Sequence, residues 1–337
     1  MIQLWSDFFI MALLIVISGT YLSRYGDVIA DKTGLGQALI GGILIALATS
    51  LPELVTSITS SLVGAPNIAI GNVFGSNTFN IMIVAVADLL KGGQGPLMLR
   101  VRYSHLLSGL VGILLSAIVV FSIILTHLTS VRLGIAGVGL DSIVLICAYL
   151  FAVRLVFRYE KKNPLDREEE DKRIIEDLPL KKAVFGFALS GMVIVFAGSR
   201  LSIIGDQIAY MTGLEQSFIG TILVAAATSL PELVATISAL RIDAYNMAIG
   251  NVLGSNIFNM IIVFFADIFY RGGYILAEVD VVHVITAMIA LVMSAIALIG
   301  LFYRSKRTIF SIGWDSLFIS ITYFLGVYLL FRLGINI

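Results

Sequence analysis

The chain has 337 residues with 22 basic and 22 acidic side chains, and 58% of it is hydrophobic while only 13% is charged. A soluble domain carries about twice that charged share, so the composition excludes a soluble protein and indicates one whose main solvent is lipid. The zero net charge says nothing about nucleic acid, and the sequence contains no basic stripe or stacking platform that would bind it. The one cysteine, Cys147, excludes a disulfide framework and a cysteine-based metal site.

Ten apolar stretches follow one another along the chain, each near the ~20 residues that a helix needs to cross the hydrocarbon core. No small-residue cleavage site follows the first stretch, so we interpret it as a membrane span and not as a removed signal peptide. The sequence therefore predicts an all-α polytopic membrane protein with ten transmembrane helices, at 8–23, 36–62, 67–90, 104–125, 133–157, 182–201, 215–240, 244–269, 281–303 and 311–333.

The chain also contains an internal repeat. A shift of 179 residues lays 33–88 on 212–267 without a gap, and about 34 of the 56 positions are identical. The charged, proline-containing segment 159–182 lies between the copies. We expect a first five-helix repeat at 1–158, a cytoplasmic loop at 159–182 and a second five-helix repeat at 183–337.

Five spans are an odd number, so the second repeat enters the membrane from the opposite side. Inverted repeats are common in secondary transporters, which bind their substrates near the midplane. Placing both termini outside the cell puts most basic residues on the inner side, as the positive-inside rule requires, and we expect a protein of the cell membrane. The outer loops then hold only Arg132, Arg200, Arg271 and Arg332.

The best-matched segment of the repeat reads ATSLPEL, at 48–54 and again at 227–233. Each proline predicts a break in spans two and seven, near Thr49 and near Thr228, because it removes a backbone donor and clashes with the preceding turn. The break frees carbonyl oxygens at 46–49 and 225–228. Irregular backbone persists at membrane depth only where it lines a cavity or an ion site.

A glutamate follows each proline, at Glu53 and Glu232. An ionised carboxylate near the bilayer centre costs several kcal/mol and needs a partner. No Lys or Arg lies at comparable depth in either half, so the natural partner is a bound cation. Two carboxylates neutralise one Ca2+, and nearby carbonyl and hydroxyl oxygens complete its shell. Competition of monovalent ions for the same two carboxylates predicts exchange.

The second matched block reads GNVFGSNTFN at 71–80 and GNVLGSNIFN at 250–259. On a helix, positions 72, 76 and 80 share one face, and the corresponding positions of the second copy, 251, 255 and 259, share one face too. Gly71 and Gly75 permit close helix packing. Four asparagines of these blocks are at least as compatible with interhelical hydrogen bonds as with ion contact: Asn72, Asn77, Asn251 and Asn256. We expect a headgroup-level or capping role for Asp88 and Asp267, with a vestibule role as the alternative. We expect Asp141 and Asp315 to cap helices at the interface, and the three histidines to have structural roles: His105, His127 and His283.

Together these blocks resemble the alpha-repeats of the cation/calcium exchanger superfamily, in the Na+/Ca2+ exchanger branch with its GTSLPE and GNxxGSN signatures. The resemblance covers essentially the whole chain. It implies a diamond-shaped cluster of four ion sites, with spans one and six as the moving gate. Carried over residue by residue, it implies as ligands Glu53, Glu232, Thr49, Ser50, Ser76, Asn80, Thr228, Ser229, Ser255 and Asn259, with the carbonyls of Ala46 and Ala225 at the sodium sites.

Two departures from the family pattern matter. Ala48 and Ala227 replace the glycine of the signature and add a methyl group beside each break. Asn259 occupies a position where K+-dependent relatives have an acid, which argues against dependence on K+. The central segment is also far too short for the regulatory Ca2+-binding domains of animal exchangers.

These observations predict a secondary antiporter that exchanges Ca2+ for Na+ by alternating access. It would need no cofactor, and its partners would be membrane lipid, Ca2+ and a monovalent cation, with no nucleic acid and no obligatory protein partner. An H+/Ca2+ antiporter stays open, because protons can replace sodium on the same two glutamates. An enzyme is disfavoured because the sequence lacks a catalytic pair or an HExxH motif, and discontinuous helices in inverted repeats favour a carrier over a channel.

Overall fold

The computed structural model of the protein describes residues 2–33, 48–91, 95–129, 132–135, 137–162, 178–309 and 312–336, which are mostly helical. Eight helices there are long and apolar enough to cross a membrane, and one bent pair makes a ninth candidate span. The main helices are α1 (Ile2–Thr33), α2 (Leu51–Leu62), α3 (Pro66–Leu90), α4 (His105–Thr129), α5 (Leu140–Lys162), α6 (Leu180–Thr212), α7 (Gln216–Thr228), α8 (Leu230–Arg241), α9 (Tyr245–Phe269), α10 (Val282–Tyr303) and α11 (Trp314–Asn336).

Nine of the ten predicted spans coincide with these helices, α7 and α8 together forming one of them. The tenth, 36–62, is described from residue 48 onward, as the last residues before the break and helix α2. Its first part, which includes Ala46, lies outside the described residues. The same holds for 163–177 of the predicted central loop.

Helices α1 and α6 are longer than the apolar stretches predicted. They contain 32 and 33 residues, or roughly 50 Å at the α-helical rise, against a hydrocarbon core of roughly 30 Å. The expected bounds 8–23 and 182–201 were too short because both helices continue through polar residues such as Arg24 and Asp206. The two helices pack side by side.

Two small β-hairpins correct the all-α expectation. Strands β1 (Gly134–Ile135) and β2 (Val138–Gly139) pair antiparallel before α5, and β3 (Thr308–Ile309) and β4 (Ile312–Gly313) pair in the same way before α11. Spans five and ten therefore begin at Leu140 and Trp314, not at 133 and 311. Gly137 lies in the first turn with a φ of +85°, a conformation that glycine adopts at no steric cost.

Helices α3 and α9 form the centre of the bundle. They carry the two GNxxGSN blocks, pack against each other and are the most buried of the long helices. Two apolar clusters, built largely from their outer faces, anchor α4, α5, α10 and α11 around them. The half-helices α2 and α8 pack on these same two helices, so the proline motifs and the GNxxGSN blocks meet in the interior.

Candidate ion-binding site

The backbone breaks where the prolines predict it. Ser50 has φ −92° and ψ 10°, and Ser229 has φ −87° and ψ 5°. Both residues therefore lie in the sparsely populated bridge region of φ/ψ space, outside the α-helical region. Helices α7 and α8 meet at Ser229 with a bend of 40°. Pro52 and Pro231 occupy the second position of the following helices. The missing N–H of Pro231 would otherwise bond the carbonyl of Ala227, one turn earlier.

The two glutamates are bonded across the repeat. Ser229 Oγ donates to Glu53 Oε1 at 2.8 Å, and Ser50 Oγ donates to Glu232 Oε1 at 3.1 Å. All four side chains have no exposed surface. Each carboxylate also lies in the first turn of its half-helix, where the helix dipole stabilises negative charge. The two acids predicted from sequence therefore lie in one buried polar cluster formed by both halves.

Several buried oxygen atoms of this cluster lack a hydrogen-bond partner among the described residues. The second carboxylate oxygen, Oε2, of each of the two glutamates is one of these atoms. Buried polar atoms are almost always satisfied, so a concentration of unsatisfied acceptors marks a place where a ligand belongs. Hard cations such as Ca2+ prefer oxygen ligands of these types. The unsatisfied oxygen atoms at predicted ligand positions are Glu53 Oε2, Glu232 Oε2, Ser76 Oγ, Ser255 Oγ, Asn80 Oδ1 and Asn259 Oδ1.

The amide groups of Asn80 and Asn259 are oriented by a second asparagine pair. Asn80 Nδ2 donates to Asn256 Oδ1 at 3.0 Å, and Asn259 Nδ2 donates to Asn77 Oδ1 at 3.0 Å. Because the nitrogen atoms are held by these bonds, the oxygen atoms of Asn80 and Asn259 stay free to bind a cation. Of the two roles that the sequence left open for Asn77 and Asn256, the structure contains the interhelical hydrogen bonds.

The remaining predicted ligands are placed differently. Thr49 and Thr228 are fully buried at the ends of the helical segments before the breaks. The carbonyl of Ala225, which was expected to be freed, accepts a hydrogen bond from Ser229 N at 3.0 Å. It also lies 3.2 Å from Thr228 Oγ1 and shares the proton of that hydroxyl with Asn72 Oδ1. Ala225 would have to exchange these bonds to bind an ion, because Ser229 still continues the preceding helical turn. Its mate, Ala46, lies outside the described residues.

A model of the family described as sodium/calcium exchanger protein matches residues 4–158 and 182–334. The chain belongs to this family. Membership supports exchange of a cation against Ca2+ by a multi-pass membrane protein, and it agrees with the buried carboxylates and free oxygen atoms described above.

Individual relatives agree with the family assignment of this exchanger. It is 28% identical to the sodium/calcium exchanger MaX1 of Methanosarcina acetivorans over 329 residues, covering 88% of this chain and 92% of that one. It is also 28% identical to the inner membrane protein YrbG of Escherichia coli, covering 74% and 75% of the two chains.

Solved structures share the fold of this exchanger. The sodium-calcium exchanger NCX_Mj, soaked with Na+ and Sr2+, superposes with a TM-score of 0.61 at 23% identity, covering 97% and 99% of the chains. The structure of native YfkE superposes with a TM-score of 0.66 at 18% identity, covering 96% and 92%.

One asparagine of the exchanger does more than its sequence pattern indicated. Asn72 Nδ2 donates to the carbonyl of Glu53 at 3.2 Å and to Ser57 Oγ at 2.9 Å, and its Oδ1 accepts from Thr228 Oγ1 at 3.0 Å. Asn72 therefore joins the start of α2 to the end of α7. Among the described residues, the matching Asn251 makes two long contacts of 3.5 Å, and its Oδ1 has no hydrogen-bond partner there.

A π-helical turn at Ile219–Val224 directly precedes the second break. Such turns frequently occur at functional sites, but no residue pattern in the sequence indicated this one. Added Cβ atoms would lie 2.2 Å from the carbonyl oxygen of Thr221 at Gly75, and 2.8 Å from the Cα of Ile68 at Gly220. Gly75 was expected to permit close packing of two helices. In the structure it lets α3 approach the π-helical turn, and this approach brings Ser76 and Asn80 toward the break.

Asp88 at the end of α3 and Asp267 at the end of α9 accept hydrogen bonds from backbone N–H groups of loops. This is the capping role that the sequence predicted, and not the vestibule role. Asp88 accepts from the backbone N–H of Leu97 at 2.6 Å and of Gly313 at 2.7 Å. Asp267 accepts from Ile275 and Gly139, both at 2.7 Å. Each aspartate therefore caps a short helix of its own half and holds the hairpin of the other half.

Asp141 makes a hydrogen bond to the adjacent residue, and the histidine of α10, His283, contacts a residue of α3. Asp141 Oδ1 accepts from the N–H of Ser142 at 2.8 Å, which fits the capping role predicted for it. His283 is fully buried and its Nε2 lies 3.2 Å from Asn67 Oδ1. Both contacts are compatible with structural roles.

Proposed function

We propose that this chain is a secondary antiporter that exchanges Ca2+ for Na+ by alternating access, with Glu53 and Glu232 as its central ligands. The observation that carries the proposal is the buried cluster in which each glutamate accepts a hydrogen bond from the serine of the other half and keeps one oxygen that has no partner among the described residues. We infer that Thr49, Ser50, Ser76, Asn80 and their mates Thr228, Ser229, Ser255 and Asn259 supply further oxygen ligands, with the carbonyls of Ala46 and Ala225.

The proposed architecture has ten spans in two inverted five-helix repeats, at 1–158 and 183–337, joined by a cytoplasmic loop at 159–182. Both termini lie outside the cell membrane, because that orientation places most of the basic residues inside. The nine candidate spans and the crossed contacts between the halves support this arrangement.

The charge of the site explains why two ions would be coupled. Two ionised carboxylates carry two negative charges, which one Ca2+ or two monovalent cations neutralise. An empty site would carry both charges through the hydrocarbon core, which costs several kcal/mol or more. The transition between outward and inward access is therefore favoured when the site is loaded, and loading with one ion species excludes the other.

Sodium is the counter-ion that the neutral oxygen atoms favour. Ser76, Ser255, Asn80 and Asn259 contribute oxygen atoms that a proton on a glutamate would not need, but that a bare monovalent cation requires. A second candidate, H+/Ca2+ exchange, is favoured by one observation: the Oε2 of each glutamate has no partner within the part of the chain that the structure describes and could hold a proton.

The deciding experiment measures radioactive Ca2+ uptake into proteoliposomes that contain the purified chain. We expect uptake when an outward Na+ gradient is imposed at equal pH, and little uptake when a pH gradient is imposed without Na+. Uptake that follows only the pH gradient would replace the first proposal by the second. Uptake with neither gradient that also fails to saturate would indicate a channel and contradict both.

A further inference from the structure

A cavity of about 490 Å³ lies between α4 and α5 on the outer surface of the helix bundle. It extends from Leu114 in the middle of α4 to Leu133 and to the first two turns of α5, where Leu140 and Val144 line it. Leu114 and Leu133 are 58% and 61% exposed, so the cavity opens toward the hydrocarbon core of the membrane. Its volume falls in the range of roughly 300 to 1,000 Å³ that is typical of ligand sites. We call it the α4–α5 cavity.

One end of the α4–α5 cavity is polar, and its polar groups are hydrogen-bond acceptors. They belong to Ser122, Thr126 and Asp141. Both hydroxyl groups donate their protons to backbone carbonyls of α4 at 2.9 Å, so toward a ligand they can only accept. Asp141 Oδ1 accepts from the N–H of Ser142 at 2.8 Å, and among the described residues Asp141 has no ion-pair partner. Such an end fits a group that carries N–H donors and a positive charge.

A second carboxylate lies beside Asp141. Asp141 Oδ1 and Asp267 Oδ2 lie 2.2 and 3.3 Å from the position that a Cβ atom of Gly139 would occupy. Arg132, the basic residue closest to Asp141 in the sequence, forms its ion pair with Glu278 instead. This end of the cavity therefore holds two acidic side chains and, within the part of the chain that the structure describes, no basic side chain that pairs with them. A carboxylate at membrane depth normally has a partner.

The second half of the chain places aromatic rings where the first half has aliphatic side chains. A shift of 174 residues lays α5 on α11 and matches Leu140 with Trp314 and Val144 with Phe318. The rings of Trp314 and Phe318 lie edge to face, with their centroids 6.0 Å apart. The two smaller side chains of the first half leave room that the two rings of the second half occupy.

The position of Ser122 shows the same difference between the halves. A shift of 178 residues lays α4 on α10 and matches Ser122 with Gly300. A Cβ atom added at Gly300 would lie 2.6 Å from Asp315 Oδ2, so α10 packs directly against the carboxylate that corresponds to Asp141. Asp315 is only 3% exposed. The carboxylate of the first half therefore lines a cavity, whereas that of the second half is enclosed by its own helices.

We propose that the α4–α5 cavity binds one membrane lipid whose headgroup carries a primary ammonium group. The ammonium group lies at Asp141, and an acyl chain lies along α4 toward Leu114. The inference goes beyond the proposed function and takes from it only the side of the membrane: α5 begins at the outer surface in the proposed orientation, so the lipid belongs to the outer leaflet. Leu114 to Thr126 span roughly 18 Å at the α-helical rise, close to half of a hydrocarbon core of roughly 30 Å.

The charge of the α4–α5 cavity and its opening into the membrane select this occupant over others. A purely anionic headgroup would bring a phosphate close to two carboxylates, which repel it. A metal ion requires several oxygen ligands around it, whereas most of the cavity is lined by apolar side chains. An ammonium group donates up to three hydrogen bonds, and Ser122, Thr126 and Asp141 supply an acceptor for each of them.

Lipid retention tests the site without measuring transport. The full chain is reconstituted into nanodiscs that contain equal amounts of phosphatidylethanolamine and phosphatidylglycerol with the same acyl chains, and it is released into detergent for native mass spectrometry. We expect one phosphatidylethanolamine per chain to be retained several-fold more often than phosphatidylglycerol. Asp141→Asn keeps the oxygen atom that the N–H of Ser142 uses but removes the charge, so it should lose this preference. Asp315→Asn is the matched control and should keep it.

A variant with a filled cavity provides the second test. Leu140→Trp with Val144→Phe copies α11 into α5 and should lose the retained lipid, because the two rings occupy the space of the acyl chain. Elution as a single species in size-exclusion chromatography shows that this variant folds. The reciprocal variant, Trp314→Leu with Phe318→Val, leaves the α4–α5 cavity intact and should retain phosphatidylethanolamine there as the unmodified chain does.

Equal retention of the two lipids by the unmodified chain would overturn the proposal, and so would an unchanged preference in Asp141→Asn. A filled variant that folds and still retains the lipid would also overturn it. If nanodiscs supplied with dodecylammonium yield a chain that retains this amine but no phosphatidylethanolamine, the site binds a free amine and the lipid assignment is wrong. None of these outcomes depends on Ca2+ uptake, and absent uptake by a chain with normal lipid retention would count against the proposed antiport alone.

Discussion

Lys91 Nζ and Asp243 Oδ1 form a 2.9 Å ion pair that joins the end of α3 to the loop before α9. Tyr245 also donates to the same carboxylate oxygen, at 2.7 Å. Asp243 has a φ of +58°, and the matching position of the first half is Gly64, with a φ of +79°. The second half therefore keeps an aspartate in a left-handed conformation that costs energy, because its carboxylate ties the two halves together.

The pH dependence of this contact follows from the pKa values of its partners. The hydrogen bond to Asp243 raises the pKa of Lys91, and the hydrogen bonds from Lys91 and Tyr245 lower the pKa of Asp243. The contribution of Asp243 to stability is present above its ordinary pKa and is lost as pH falls through the lowered value. The contribution of Lys91 is present below its ordinary pKa and is lost as pH rises through the raised value.

We therefore expect the variant Asp243→Asn to lower the melting temperature of the detergent-solubilised protein by a similar small amount throughout the range of about pH 5 to pH 9. Asp243→Gly is the matched comparison, since it removes the same ion pair but relieves the left-handed strain. A smaller loss for Asp243→Gly than for Asp243→Asn is expected. A loss for Asp243→Asn that grows steadily between pH 5 and pH 9 would contradict this assignment.

Glu53→Gln and Glu232→Gln should each abolish Ca2+ transport while the protein still inserts into the membrane. The amide keeps the size of the side chain but removes one of only two negative charges in the cluster, and its NH2 group turns a donor toward the ion. Radioactive Ca2+ uptake in proteoliposomes measures the effect. The control for folding is that each variant elutes as a single species in size-exclusion chromatography. Near-normal exchange by either variant would refute the ligand assignment.

Asn259→Asp should retain Ca2+ binding and make transport sensitive to pH or K+. The new carboxylate loses the amide donor to Asn77 Oδ1, so two acceptors face each other 3.0 Å apart unless the acid holds a proton or a cation lies nearby. Uptake is measured over a range of pH values and of K+ concentrations. The variant Asn80→Asp is the mate at the other asparagine pair, and unchanged ion and pH profiles in both would rule out this expectation.

Asp88→Asn should destabilise the protein without changing its ion selectivity. The carboxylate accepts two backbone N–H bonds, from Leu97 and Gly313, and an asparagine can accept only one of them. The loss of a buried hydrogen bond to a charged acceptor costs about 2 kcal/mol, which lowers the melting temperature. Asp267→Asn should behave alike, and Asp7→Asn serves as a control on α1. A selectivity change at unaltered stability would assign Asp88 to the transport pathway.

Much of the site could be predicted because its determinants are local and occur twice. Pro52 and Pro231 break a helix wherever they stand inside one, and a carboxylate in a span without basic residues requires a partner. The breaks duly lie at Ser50 and Ser229. That both glutamates contact one cluster follows from the pairing of the halves, which the repeat indicates only indirectly.

Other features depend on packing that no residue pattern encodes. The π-turn at Ile219–Val224 arises where Gly75 and Gly220 allow backbone contact, and glycines alone do not specify it. The hairpins escaped prediction because their short apolar strands read as the start of the next span. The bonds of Asn72 depend on the relative placement of α2, α3 and α7, so only the structure could distinguish an orienting asparagine from a ligand.

The crossed bonds from Ser229 to Glu53 and from Ser50 to Glu232 have a consequence for how such a molecule could be divided. In both halves the serine that donates to the glutamate comes from the other half. A half produced alone would therefore bury a carboxylate that lacks its serine donor. Two separately produced halves could recover the cluster only by meeting in opposite orientations within one bilayer. An ancestor of half this length would therefore have had to insert into the membrane in both orientations and to function as an antiparallel dimer.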